Sequence, residues 1–239
     1  MSLLAPLLEV QELDLAAGRL REARAGLPER AELAANEAAT SALAEASRAA
    51  QARRDALARA EREQGGEVAA IAARAKELET NLYSGSITIA KELDALQHEL
   101  DLWKQKQADA EERELELLEA IDAVDAELAG HSTRRETLCD EAAEVAARLA
   151  SAEALIDGEV TALETQAAAL RSGLPDAVLA EYDRLRANPR LGGRAAAALG
   201  DGACEGCRLT LPMTEYGRVR DEPADAVVRC VHCSRLLVR

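Results

Sequence analysis

Aromatic side chains are scarce in this chain of 239 residues, which has no phenylalanine, one tryptophan and three tyrosines. The hydrophobic fraction of 48% therefore consists mainly of alanine and leucine, and charged residues make up 31%. This composition is typical of long helices and coiled coils, and it argues against a large globular core.

Long apolar runs are also missing. No stretch of about 18 apolar residues occurs, so the sequence predicts no membrane-spanning helix and no membrane partner. The N-terminal residues 1–6 lack the basic and apolar regions of a secretory signal. We therefore predict a cytoplasmic protein, in which the five cysteines are metal ligands or bystanders rather than disulfides.

The formal net charge of −15 is unevenly distributed. Residues 1–183 carry 38 acidic and 19 basic residues, whereas residues 184–239 carry 6 acidic residues and 10 arginines. A chain this acidic is a poor candidate for coating nucleic acid along its whole length. The change in composition predicts an acidic domain over 1–172, a connecting helix and linker over 173–190, and a basic domain over 191–239.

A seven-residue repeat extends through the second half of the acidic part. With Leu93 as an a position, 17 of the 23 a and d positions up to Leu170 are apolar. The six polar sites include Gln107 at an a position, and Glu159 and Gln166 at d positions. A repeat of this length predicts a coiled coil rather than the surface helix of a globular domain.

The first half of the acidic part has a weaker repeat of nearly the same length, so we predict an antiparallel hairpin. Ala5–Leu82 and Lys91–Leu170 contain 78 and 80 residues, corresponding to a hairpin of roughly 120 Å. The apex is expected near residues 83–88, where Gly85 accepts a positive φ and Ser86 or Thr88 can cap the second helix.

Two glycine-proline segments predict breaks in the helices, and a third glycine segment predicts a soft spot. Gly26-Leu27-Pro28 and Gly173-Leu174-Pro175 each place a helix-ending glycine two residues before a helix-starting proline. The second should lead into a short helix from Asp176 to Ala187, which Asn188-Pro189 ends. Gly65-Gly66 predicts a weak point roughly opposite Gln107.

The isolated polar residues of the hairpin are interpreted as structural. His98 and His131 are isolated histidines, and His131 occupies a seam position. Cys139 follows the seam residue Leu138 and is expected to be a small buried or half-buried side chain.

The basic domain contains two Cys-x-x-Cys pairs, formed by Cys204 with Cys207 and by Cys230 with Cys233. A two-residue gap lets one tight turn direct both sulfurs at one ion, and two such turns complete the tetrahedral sulfur shell that suits Zn²⁺. Such a shell leaves no position for water, which predicts a structural zinc ion. Two disulfides, an iron site, or His232 as a substitute ligand are the alternatives.

Zinc would also stabilise a segment that is too short for a core of its own. We predict a small β domain, a zinc ribbon, whose candidate strands are Arg194–Leu199, Leu209–Pro212, Ala226–Arg229 and Leu236–Arg239. The expected fold class is therefore mainly α, with a long antiparallel coiled-coil hairpin followed by this ribbon.

Specific residues along the chain resemble the bacterial family of C4-type zinc-ribbon proteins with an N-terminal coiled-coil hairpin, which includes a flagellar regulator that binds sigma-54 and RNA. The matching residues are Leu27-Pro28-Glu29, Leu82-Tyr83-Ser84-Gly85, Lys91-Glu92-Leu93, Leu96, Glu99, Tyr182, both cysteine pairs and Arg235-Leu236-Leu237. Ser234 departs from the glycine that usually follows the last cysteine. The resemblance implies zinc binding and, for the family, nucleic-acid binding.

Two function hypotheses follow. In the first, the protein is a non-catalytic adaptor whose hairpin holds a protein partner and whose ribbon binds RNA or DNA. The ribbon would contact the nucleic acid through five arginines, Arg208, Arg218, Arg220, Arg229 and Arg235. In the second, it is a scaffold or chaperone-like module that binds proteins alone. In both, Leu82 and Tyr83 at the apex are the candidate docking residues.

Catalysis is not indicated, because the sequence has no P-loop, dinucleotide-binding turn or nucleophile elbow. The acidic residues are spread along helix faces rather than gathered with a histidine. Whether the hairpin seam is completed within one chain or between two is open, so both a monomer and a dimer are compatible with the sequence.

Overall fold

The computed structural model of the chain describes residues 4–86, 89–223 and 226–239. Positions 87 and 88 of the predicted apex, including the candidate cap Thr88, lie outside the described residues, as do the first three residues. The elements are α1 (Pro6–Ala25), α2 (Pro28–Tyr83), α3 (Ala90–Arg171), α4 (Asp176–Arg186), a 3₁₀ turn (Pro189–Leu191), β1 (Ala196–Ala198), α5 (Met213–Asp221) and β2 (Leu236–Val238).

The chain divides into two compact units, Glu32–Glu144 and the combination of Met1–Ala31 with Val145–Arg239. In the first unit, α2 and α3 pair as the antiparallel hairpin that the heptads predict. The Asn36 side chain donates to the Leu138 carbonyl and Gln64 donates to the Ala110 carbonyl. Partner numbers in α3 fall as those in α2 rise, which defines the antiparallel direction.

The seam of this unit combines alanines with larger aliphatic residues, which include the buried Val124 and Leu138. Alanine at 50, 75 and 110 is buried together with Leu78 and Leu100. Such small side chains let two helices approach closely, which explains how a chain with so few aromatic residues buries a continuous stripe. Ion pairs flank the stripe, among them Arg53–Glu127, Arg54–Asp125, Arg74–Glu99 and Lys104–Glu79.

The structure corrects the prediction made for Gly65-Gly66. Both glycines lie within the unbroken helix α2. A Cβ on Gly65 would lie 3.0 Å from the Glu114 carboxylate, so this glycine faces Glu114 and not Gln107. The close approach of Glu114 leaves little room for a side chain at Gly65, whereas Gly66 faces open space.

The isolated residues of the hairpin have different environments. His131 is half-buried, and its Nδ1 lies 3.2 Å from the Ser47 hydroxyl. His98 is exposed. The prediction for Cys139 is wrong, because this thiol is exposed. It follows Leu138 in the helix, and a rotation of one residue carries it out of the seam.

In the second unit, the heptad register of α3 changes. Val160 and Ala167 are buried, whereas the predicted d residues Glu159 and Gln166 are exposed. After Ile156 the seam therefore advances by four residues where the strict repeat requires three. Such a step places an apolar side chain in the seam instead of a charged or amide one.

The core of the second unit joins both ends of the chain. The break between α1 and α2 falls at Gly26-Leu27, and Gly26 donates to the carbonyls of Glu22 and Ala23. Helices α1 and α4 pack with β1 and β2 around Tyr182, whose side chain is fully buried. The other buried members are Leu4, Leu7, Val10, Leu174, Val178, Leu185, Ala195, Ala196, Leu236 and Val238.

The C-terminal segment has less β structure than predicted. β1 and β2 lie within two of the four candidate strands and pair in parallel, Ala196 opposite Leu236. The other two candidates, both largely within the described residues, are not strands: each contributes one isolated bridge, at Thr210 and Arg229. Helix α5 follows Pro212 and was not predicted.

Candidate metal centre

The four cysteines of the two Cys-x-x-Cys pairs lie together, with all four sulfurs within 4.8 Å of one another. The Sγ atoms of Cys204 and Cys233 are 3.8 Å apart, as are those of Cys207 and Cys230. A tetrahedron with Zn–S bonds of about 2.3 Å has edges of about 3.8 Å. A disulfide would need a separation of about 2.05 Å. The sulfurs thus form a cage that fits one structural Zn²⁺.

The two knuckles have the same backbone geometry. In the first, the Arg208 N–H donates to the Cys204 carbonyl and the Cys204 N–H donates to the Leu209 carbonyl. The second repeats this pattern from Ser234 to Cys230 and from Cys230 to Arg235. Arg208 and Ser234 both have φ of 63°, the left-handed conformation that closes the turn. Ser234 thus adopts the conformation for which glycine is usual.

The surroundings shift the pKa values of the thiols in opposite directions. Burial raises the pKa of the Cys204 thiol to about 12 and also raises the pKa of Cys230. Burial acts in the same direction on Cys233, but hydrogen bonds from the Arg235 backbone and guanidinium outweigh it and lower the pKa of this thiol. Four thiolates fill the coordination shell of Zn²⁺, so this centre supplies folding energy rather than a site for an activated water.

His232 has a separate role from the four sulfurs. Its Nε2 lies 3.2 Å from the Thr210 carbonyl, the distance of a hydrogen bond donated by the ring. This contact holds the second knuckle against the segment that follows the first one. The metal cage consists of the four cysteines.

The metal cage is tightly joined to β1. A Cβ on Gly206 would lie 2.8 Å from the Ala197 Cβ and 2.8 Å from the Arg235 Cδ. The buried side chain of Gln11 in α1 accepts a hydrogen bond from the Ala196 N–H of the same strand. The ribbon therefore packs against α1 through β1 instead of forming an independent module.

The arginines proposed for nucleic-acid contact lie in different environments. Arg218 pairs with Glu215, and Arg229 pairs with Glu181 of α4 at 2.7 Å. Arg235 is half-buried and donates to the carbonyls of Arg194 and Gly206. Arg235 thus links both knuckles, a structural role that sequence reasoning missed. The available signal was its position two residues after the ligand Cys233.

Two of the five arginines lack a close ion pair among the described residues. Arg208 is exposed and forms no ion pair with the residues that the structure describes. Arg220 is exposed and lies 3.9 Å from Asp221, at the outer limit of an ion pair. Three of the five predicted arginines, Arg218, Arg229 and Arg235, are therefore engaged in contacts with described residues.

The two predicted apex residues lie at the end of the hairpin. The Tyr83 side chain is 77% exposed, and Leu82 is half-buried in a cluster with Leu78 and Leu100. Both line a groove of about 420 Å³, which continues along the start of α3 to Leu93. The remaining lining residues are Ala90, Asp94 and Gln97.

A helical hairpin followed by a four-cysteine zinc ribbon defines the class of this protein. Residues 10–190 match the CT398-like coiled-coil hairpin domain, and residues 203–237 match the C4-type zinc ribbon domain. The first match covers most of the chain, which therefore belongs to the CT398-like coiled-coil hairpin family. Coiled-coil and zinc-ribbon domains are typically non-enzymatic and support a structural role.

Relatives and solved structures agree with this assignment. Uncharacterized proteins of Mycobacterium tuberculosis strains H37Rv and CDC 1551 are each 31% identical over 237 residues, which cover 98% of this chain and 94% of theirs. A structure from Mycobacterium smegmatis, at 24% identity and full coverage of both chains, has a TM-score of 0.75. CT398 from Chlamydia trachomatis, at 19% identity with 99% and 97% coverage, has a TM-score of 0.65. These structures show the same fold.

Among the helices of the described residues, none has an apolar stretch long enough to cross a membrane.

Proposed function

We propose that the protein is a non-catalytic cytoplasmic adaptor that binds a protein partner at the hairpin apex, with the zinc ribbon as a structural element. The same proposal assigns the hairpin to 1–172, the connection to 173–190 and the ribbon to 191–239. The observation that carries it is the exposure of Tyr83 beside an apolar groove. A reducing compartment would keep the four zinc thiolates free of disulfides.

The apex has the chemistry of a protein-docking surface. Tyrosine buries a large amphipathic area at low entropic cost, and residues of this type dominate interface energies. Leu82 and Leu93 supply an apolar floor for the groove, and Asp94 and Gln97 supply polar groups at its rim. A partner side chain seated between them would cover Tyr83.

The ribbon supports the proposal through what its polar groups already do. Arg229 and Arg235 hold the ribbon to α4 and to its own knuckles. The Zn(Cys)₄ unit itself carries about −2, which offsets half of the formal +4 of residues 184–239. Little cationic surface is left for a polyanion.

A crosslinked pull-down from cells, divided into nuclease-treated and untreated halves, tests the proposal. We expect the same protein partner in both halves, and we expect Tyr83→Ser to abolish its capture without loss of helicity. Leu102→Ser, at an exposed position of α3 away from the apex groove, is the control and should retain capture. Capture that survives Tyr83→Ser, or that disappears with nuclease, would contradict the proposal.

Nucleic-acid binding by the ribbon is the second candidate function, favoured by the exposed and weakly paired Arg208 and Arg220 and by the resemblance to the regulator that binds sigma-54 and RNA. With Arg208, the weakly paired Arg220 and Tyr216 as the aromatic residue of the ribbon, we expect weak and salt-sensitive binding. Anisotropy of short labelled RNA and DNA at low and moderate salt tests it. Arg208→Gln with Arg220→Gln should abolish the signal, and no binding at low salt would refute this candidate.

A further inference from the structure

The outer surface of α3 carries two exposed leucines one helical turn apart. Leu115 is 60% exposed and Leu118 is 43% exposed. Side chains three and four residues apart lie on the same face of a helix. Glu111 and Asp122 continue this face on either side, four residues before Leu115 and four after Leu118. These four residues, the 111–122 face, extend about 16 Å along the helix axis.

This face lies in the most acidic stretch of the hairpin. Residues 109–122 contain seven acidic residues and one basic residue, Arg113. Among the described residues, none of these acidic groups has an ion-pair partner. The segment of α2 on the opposite side offers no net compensation, because Arg59 and Arg62 are balanced by Glu61 and Glu63.

The flanking parts of the hairpin are different. Asp125 and Glu127, which follow the stretch, pair with Arg54 and Arg53 of α2. Glu99, which precedes it, pairs with Arg74. Cross-helix ion pairs therefore border this stretch on both sides, and among the described residues none lies within it, where Leu115 and Leu118 are exposed. An apolar strip within an uncompensated negative field is complementary to a surface with apolar residues bordered by lysine or arginine.

We propose that the 111–122 face is a docking site for a basic amphipathic helix of a protein partner. Leucine-like side chains of that helix cover Leu115 and Leu118, and its lysines or arginines pair with Glu111 and Asp122. The spacing matches a helix packed along α3, which would make the hairpin locally three-stranded. The site goes beyond the apex and does not depend on Tyr83.

Fluorescence anisotropy with the intact zinc-loaded protein tests this site. The probe is a labelled synthetic helical peptide with leucines on one face bordered by lysines. We expect binding that weakens as salt increases. Leu115→Ser with Leu118→Ser should weaken it by about tenfold or more, since apolar anchors carry most interface energy. Glu111→Gln with Asp122→Asn, which keeps the leucines, should weaken binding and reduce its salt dependence.

Two matched controls separate this site from the rest of the hairpin. Leu155→Ser changes another exposed leucine of α3, in a region where Glu153 and Asp157 are paired with Arg24, and should bind the peptide normally. Tyr83→Ser should also bind normally. Failure of the apex proposal would therefore leave this result unchanged, and the reverse also holds.

Three results would overturn the proposal. One is equal binding of a peptide with the same composition in scrambled order, because the attraction would then be non-specific charge. Another is equal binding of a peptide bordered by glutamates instead of lysines. The last is a dimer in analytical ultracentrifugation that Leu115→Ser with Leu118→Ser dissociates, because the face would then be occupied by a second copy of the chain.

Discussion

Replacement of Tyr182 by phenylalanine tests the junction that holds α1, α4 and the ribbon together. The Tyr182 side chain is fully buried, and its hydroxyl donates to Asp14 Oδ2 at 2.8 Å. Burial raises the pKa of Tyr182, so the hydroxyl stays protonated and remains a donor across the neutral range. Phenylalanine fills the same volume, so the change removes the hydrogen bond without creating a cavity.

The loss in free energy of unfolding expected for Tyr182→Phe depends on the remaining partners of Asp14. Hydrogen bonds to charged groups contribute about 1.5–3 kcal/mol. Asp14 keeps Arg186 at 3.2 Å, so its carboxylate is not left unpaired. We therefore expect a loss at the lower end, about 1.5 kcal/mol. For a chain of this size, this corresponds to a decrease in Tm of about 3–6 °C.

Thermal unfolding followed by circular dichroism measures this loss, and Tyr83→Phe is the matched control. That substitution removes the same hydroxyl from an exposed side chain, and it should leave the Tm unchanged. A loss below about 0.5 kcal/mol for Tyr182→Phe would refute the reasoning, because the buried hydroxyl would then contribute no more than an exposed one.

The remaining predictions concern the ribbon. Chelation should release one zinc per chain and make the ribbon sensitive to protease, while the helicity of the hairpin persists. Cys204→Ser should have the same effect. Protease resistance that is retained after zinc release would contradict a structural role for the metal. The raised pKa of Cys204 and of Cys230 keeps these thiols protonated until metal binds. Zinc affinity should therefore rise with pH, by up to tenfold per pH unit for each proton displaced. Chelator competition between about pH 6 and 8 should show that slope, and a flat profile would contradict it. Gly206→Ala should destabilise the ribbon by about 1–3 kcal/mol, because the added Cβ would lie 2.8 Å from its neighbours. Gly217→Ala, in open space within α5, should stabilise the ribbon by about 0.5–1 kcal/mol. Equal Tm values for the two variants would contradict the packing described for Gly206.

Local rules predicted the hairpin and the metal cage well. A heptad pattern depends on the period of the α-helix, which few residues can change, and a Cys-x-x-Cys turn depends on a backbone geometry that is the same in both knuckles. Leu100, Val124 and Leu138 therefore occupy the predicted seam, and the four cysteines lie together.

The missed features depend on competition between residues or on tertiary contacts. The strict repeat placed Glu159 and Gln166 in the seam, but a charged or amide side chain is costly to bury and apolar Val160 and Ala167 follow each by one residue. Helix α5 was missed because Gly217 and the surrounding charges resemble a loop. Its signals were Pro212 at the N-cap, Glu215 in the first turn and arginines in the last turn.

Counting charges in the sequence overstates the capacity of this ribbon to bind a polyanion. An arginine can attract phosphate only if its guanidinium is not already satisfied, and a small domain with few strands needs such groups to hold its turns together. Arg235 holds two carbonyls next to the metal cage, and Arg229 fixes the second knuckle to Glu181 of α4. The acidic hairpin has the opposite arrangement around residues 109–122, where none of the acidic groups has an ion-pair partner among the described residues. Charged groups without an ion-pair partner are thus a better guide to a binding partner than net charge is. They favour a cationic protein partner on the hairpin over a nucleic acid on the ribbon.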